Sequence, residues 1–195
     1  MRGGNSRPPG SRRLLTQPRR MKAHVAKNAA RPGVTTSTVE VTGSGMISDI
    51  NVELDITHSY DGQLTATLYA PDGTPVELLS NVGGSGDDFT ATEFDDAAIT
   101  SITAGSAPFT GTFQPTGSLT TFDDMDAAGT WTLEIIDNAK GDTGTLNSWS
   151  ITIATYEPEP NLPPVAQDDS ATTNEDTAVI IDVLANDSDG DGDGD

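Results

Sequence analysis

The sequence predicts an all-β protein, an antiparallel β-sandwich or jelly roll. Three observations lead there. Apolar and polar residues alternate over short segments, as in residues 50–58, where Val52, Leu54, Ile56 and His58 point one way and Glu53, Asp55 and Thr57 the other. Pro, Asp and Gly bound these segments in turn-forming runs such as Ala70-Pro71-Asp72-Gly73-Thr74. No stretch carries a convincing helical period.

The first 33 residues stand apart. Arg, Pro and Gly dominate them, and apolar residues are too sparse for a core. That composition predicts a disordered basic leader over 1–33 rather than an ordered arm. It lacks the apolar stretch of a secretory signal peptide. Period-two segments begin at Val34 and define a domain over 34–155. Residues 64–70 repeat the pattern with Leu64, Ala66 and Leu68, and residues 75–80 follow the next turn.

Both tryptophans of the chain lie between residues 129 and 153. Trp131, Leu133 and Ile135 share one face of a strand, and Trp149, Ile151 and Ile153 share one face of the next. The connection between them is too polar for a strand and too Gly-rich for a helix, so the expectation is a long hairpin. A tryptophan buries roughly 200 Å². Grouped with aliphatic neighbours, the two rings are expected to anchor the core; a carbohydrate-stacking platform would need them exposed.

Residues 156–164 form a Pro-rich, extended spacer. Residues 165–195 begin a second pattern, with one or two strands expected near 177–185 and an Asp/Gly-rich end. So short a module rarely folds alone, and it is expected to be the truncated start of a further repeat.

The net charge is −20. Nine of the ten cations lie within the first 31 residues, and past Arg31 only Lys140 stands among all 30 acids. An acidic surface of this kind repels nucleic acid and anionic membrane and attracts cations. The chain has no cysteine, which excludes disulfides, thiolate metal sites and a cysteine nucleophile. No apolar run is long enough to span a membrane.

Four segments in order, residues 56–80, 89–102, 105–122 and 127–153, together resemble the P domain (P/Homo B domain) of proprotein convertases and of bacterial exported peptidases. The resemblance implies a jelly-roll β-sandwich of about eight strands. It also implies an accessory role beside a protease domain, stabilising or positioning it. One departure stands out. Where the family often has Arg-Gly-Asp-Leu, this chain has Asp61-Gly62-Gln63-Leu64, which places any role of the family acid in doubt. Residues 161–195 are similar to the start of cadherin-like tandem repeats of large bacterial surface and secreted proteins.

No catalytic residues are expected. A serine triad needs a base, and the only histidines are His24, in the leader, and His58, which continues an inward face and reads as a packed histidine at a strand end. There is no H-E-x-x-H and no G-x-S-x-G. Calcium is the one cofactor the carboxylates suggest, since it takes six to eight oxygens from loops that can wrap it. One candidate set is Asp87, Asp88, Asp95, Asp96, Asp137 and Asp142, with Asp95 and Asp96 equally suited to bracing a turn. The other is Asp187, Asp189 and Asp191, the first half of an EF-hand-type loop.

These readings together predict a secreted or surface-exposed module that is not an enzyme by itself. Its partner would be a neighbouring domain of a larger protein, a peptidase or a repeat array. Two alternatives remain open: a fragment of a serine-type endopeptidase, and a building block of a large calcium-dependent adhesin.

Overall fold

The computed structural model describes residues 33–158 and 160–190, together with the backbone of 13–14, 19–23 and 27–30. The chain divides into two compact units, the larger being Leu14–Glu157, with Pro158–Asp195 in the other.

The larger unit is a β-sandwich. Short strands β1 (Arg13–Leu14), β2 (Arg19–Ala23) and β3 (Lys27–Ala30) precede eight main strands. These are β4 (Gly33–Val41), β5 (Met46–His58), β6 (Leu64–Tyr69), β7 (Pro75–Ser80), β8 (Phe89–Phe94), β9 (Phe109–Phe113), β10 (Gly129–Asp137) and β11 (Thr143–Glu157). One sheet has the order β4-β10-β6-β7, and the other runs β11-β5-β8-β9. The expected eight-stranded architecture is therefore the one that forms, with four main strands in each layer.

Strict alternation positions the core. Along β10 every second residue from Trp131 is buried, and along β5 the same holds from Ile50 to His58. The buried faces of the two sheets meet over Leu54, Leu68, Leu133 and Ile151. Phe89 and Phe109 stack at 4.8 Å, and Phe122 meets Trp131 edge-on at 5.1 Å.

Three expectations change. First, β10 and β11 are not a hairpin. β10 pairs with β4 and β6, whereas β11 pairs with β5 in the opposite sheet. The polar connection crosses the sandwich instead of turning back along it. Trp131 and Trp149, 0% and 1% exposed, thus enter one core from opposite layers. Second, the sandwich is not wholly antiparallel, because β8 and β9 pair in parallel. Parallel neighbours need a crossover of a dozen or so residues, and the chain between them, with a 3-10 turn at Ile102–Ala104, provides it. Third, the leader expected to be disordered contributes β2 and β3, which run antiparallel to β11 on the edge away from β5. Apart from these strands and β1, residues 1–32 lie outside the described residues.

The second unit carries no strand over its described residues past Pro158. A single bridge joins Val165 and Ser188. Val179, Ile180, Ile181, Val183 and Leu184, where strands were expected, are exposed. A lone apolar segment is not stable as a strand without a sheet to join.

Candidate functional site

The acids singled out in the sequence are sorted by β8. Asp87 and Asp88 precede it, Asp95 and Asp96 follow it, so the two pairs lie at opposite ends of one strand.

At the Asp88 end three loops meet, those joining β5 to β6, β7 to β8 and β10 to β11. Asp88 Oδ1 accepts from the backbone N–H of His58 at 2.9 Å, and Asp88 N–H donates to Asp61 Oδ1 at 3.1 Å. Asp61 sits at the start of a 3-10 turn and is fully buried. Its own N–H and that of Gly62 donate to the carbonyls of Gly86 and Gly84, which fastens the turn to the Gly83–Gly86 bend. Gly83 is required there, since its φ is +83° and an added Cβ would lie 2.7 Å from Phe109 Cε2. Burial pushes the Asp61 carboxyl up to about 7; the Asp88 amide opposes this, and the charges of Asp88 and Asp87 add to it.

His58 is the hinge between this group and the next. Its Nδ1 accepts from Tyr60 N–H at 3.1 Å, so in the neutral ring the proton resides on Nε2. That Nε2 faces Asp137 Oδ2 across 3.7 Å, a charge-pair distance too long for a hydrogen bond. Asp137 Oδ1 accepts from Ala139 N–H. Asp142 accepts from Ser59 Oγ at 3.1 Å and from Gln63 Nε2 at 2.9 Å. Gln63, standing where the family pattern has an acid, thus serves as a donor to an acid from another loop.

Three side-chain oxygens at this end are buried with no hydrogen-bond partner among the described residues: Asp61 Oδ2, Asp137 Oδ2 and Gln63 Oε1. A buried oxygen left unpaired is costly. Even so, no three His, Asp or Glu side chains stand together as a metal-holding group among the described residues.

At the other end Asp95 and Asp96 brace turns. Asp95 Oδ1 accepts from Ala97 N–H at 2.7 Å, and Asp96 Oδ2 from Ser118 Oγ at 2.6 Å and Thr120 N–H at 2.9 Å. Burial, then the charges of Asp95, Asp123 and Asp96, raise the Asp49 carboxyl nearby. In the second unit Asp187 Oδ1 accepts from Gln167 N–H at 2.8 Å. Asp191 lies outside the described residues.

Sequence reasoning therefore brings Asp87, Asp88, Asp137 and Asp142 to one end and misplaces Asp95 and Asp96 with them. It misses Asp61 as the most deeply buried acid. The signal for it was the acid shifted to the first position of Asp61-Gly62-Gln63-Leu64.

With this geometry in hand, comparison with known proteins finds two family matches. Residues 47–153 match the proprotein convertase P-domain, and residues 161–195 match a bacterial Ig domain. The second match falls on the repeat expected to begin after the spacer. A calcium-dependent protease of Trichormus variabilis is 30% identical over 119 residues, covering 58% of this chain and 15% of that protein. Leupeptin-inactivating enzyme 1 of Streptomyces exfoliatus is 32% identical, covering 57% and 20%. A transglutaminase-activating metalloprotease of Streptomyces mobaraensis is 33% identical, covering 60% and 12%. The chain thus spans a fifth or less of the length of these curated relatives.

Proposed function

The chain belongs to the proprotein convertase P-domain family, and we propose that it is a non-catalytic accessory module of a secreted or surface-exposed bacterial protein, stabilising or positioning a neighbouring peptidase domain. The observation that carries this reading is the state of His58. A general base must reach the proton it abstracts. His58 is 2% exposed, with one ring nitrogen held by Tyr60 N–H and the other turned to buried Asp137. With no cysteine in the chain, a thiolate nucleophile is ruled out. Two of the relatives are named as a protease and a metalloprotease, and the part of each that this chain resembles is small. Their hydrolysis is best assigned to the remainder. The module would then act by packing, its rigid sandwich offering a fixed surface to the adjoining domain. The purified chain is expected to leave casein intact; cleavage that a serine-protease inhibitor or a chelator abolishes would overturn the reading. In a parent protein that contains a peptidase domain, deleting the sandwich should lower the melting temperature of that domain with its active-site residues intact.

Calcium is the finer part of the proposal. Support comes from the three unpartnered oxygens at the Asp88 end and from relatives named calcium-dependent. Asp61, Gln63 and Asp137 carry the hard oxygen donors calcium prefers, with Asp87, Asp88 and Asp142 beside them. Asp95 and Asp96 do not join this group, because they follow β8 and so lie at its other end. An ion held here would neutralise buried carboxylate charge and fix the loops to one another. A building block of a larger surface protein is the second reading, favoured by the immunoglobulin-domain match that follows the spacer.

A further inference from the structure

We propose that the outer edge of β11 is a strand-addition site for a cationic, extended peptide, occupied in this chain by its own strands β2 and β3. β11 is a 15-residue strand whose inner edge is paired with β5. β2 and β3 cover two stretches of its other edge. Trp149 to Ile153 pair with Ala23 to Arg19, and Thr143 to Leu146 pair with Ala30 to Lys27. Without that cover, the outer edge would present a row of unpaired backbone donors and acceptors, which is what an added strand recognises.

The chemistry of the neighbouring strands selects the occupant. Register places Lys22, Ser150 and Glu53 in one cross-strand row, and Glu53 stands directly opposite Glu93 of β8. Like charges facing each other in a sheet are destabilising unless a cation is near. One step along, Arg20 is in register with Thr152, which is paired with Asn51. Asp55 lies on the same outward side of β5 as Glu53. Residues 19–30 hold Arg19, Arg20, Lys22 and Lys27 and no acid. Backbone pairing gives the segment its place, and charge complementarity chooses a basic strand over an acidic one. A basic extended segment from a neighbouring domain would compete for the same edge, so β2 and β3 together are a displaceable plug.

The position of the cations supplies the test, because trypsin has a single target past Arg31, at Lys140. In the full chain at low salt, cleavage after Arg20 and Lys22 should be about tenfold or more slower than in a free peptide of residues 17–32, since paired strands must open before they are cut. High salt should reduce the protection, because it screens the charge complementarity and leaves the backbone pairing. Glu53→Gln with Glu93→Gln should reduce it without lowering the melting temperature, and excess free peptide should compete the tethered segment off and speed its cleavage. Equal rates in chain and peptide at low salt would overturn the proposal. So would protection untouched by salt, by the double substitution and by the competing peptide.

Discussion

The indole Nε1 of Trp149, on β11, donates to Ser37 Oγ, on β4, at 2.8 Å. Ser37 is 4% exposed, so the bond crosses from one sheet to the other inside the core. Replacing Ser37 with Ala strands a buried N–H, which costs about 1–3 kcal/mol. Urea unfolding followed by tryptophan fluorescence should show the midpoint fall with an unchanged slope. An unchanged midpoint would mean the indole finds another acceptor.

Asp61 should set an acid-side pH dependence. Its carboxyl ordinarily titrates near 3.8 and in the fold is raised to about 7. Between those values the folded chain holds a proton that the unfolded chain has released. Stability from this group is therefore fully present below about pH 4 and declines as pH rises to about 7, by about 1.4 kcal/mol per unit at most. Asp61→Asn should remove that decline. Parallel stability profiles for the two proteins between pH 4 and 7 would rule out the buried acid as its source.

Calcium should act on the same group. A cation near Asp61 favours the ionised form and stabilises only the folded state. Added calcium should raise the melting temperature at pH 7 by several degrees, and a chelator should reverse it. The gain should shrink in Asp61→Asn, whereas Asp96→Asn should lower stability equally with and without calcium. Identical melts with calcium and with chelator would remove the ion from the picture.

How much of this could be read in advance depended on the range of the interaction. Alternation within β5, β6 and β10 is local, so the buried faces, including Trp131, Trp149 and His58, were legible. Pairing partners were not, because two strands with matching inward faces satisfy the same pattern as a hairpin or as opposing layers. The Trp149–Ser37 bond, 112 residues apart in sequence, is the kind of contact that decides between them. The acids followed the same division. Asp87 and Asp88 precede β8 and Asp95 and Asp96 follow it, yet nothing local in the sequence sets one pair apart as the turn-bracing one. The burial of Asp61 required the Gly83–Gly86 bend to close over it, a contact no single segment announces.

Gly144 offers a sharper test of the Asp88 end than loss of a carboxylate. An added Cβ would fall 2.5 Å from His58 Cδ2 and 2.6 Å from the carbonyl oxygen of Thr57. Both neighbours belong to β5, which pairs with β11 at Gly144–His58, so the strands must move apart or the ring must turn. Overpacking of this kind costs about 1–3 kcal/mol. Turning the ring would also break its contact with Tyr60 N–H and its approach to Asp137. Gly144→Ala should therefore destabilise the sandwich and be non-additive with His58→Ala, because removing the imidazole relieves part of the clash while the Thr57 carbonyl remains. Gly73→Ala is the control: its φ is +91° with nothing within 4 Å, so its cost is backbone strain alone and should add to His58→Ala. If both glycine substitutions add to His58→Ala without coupling, the imidazole is not the close neighbour that fixes β11 against β5 at this end.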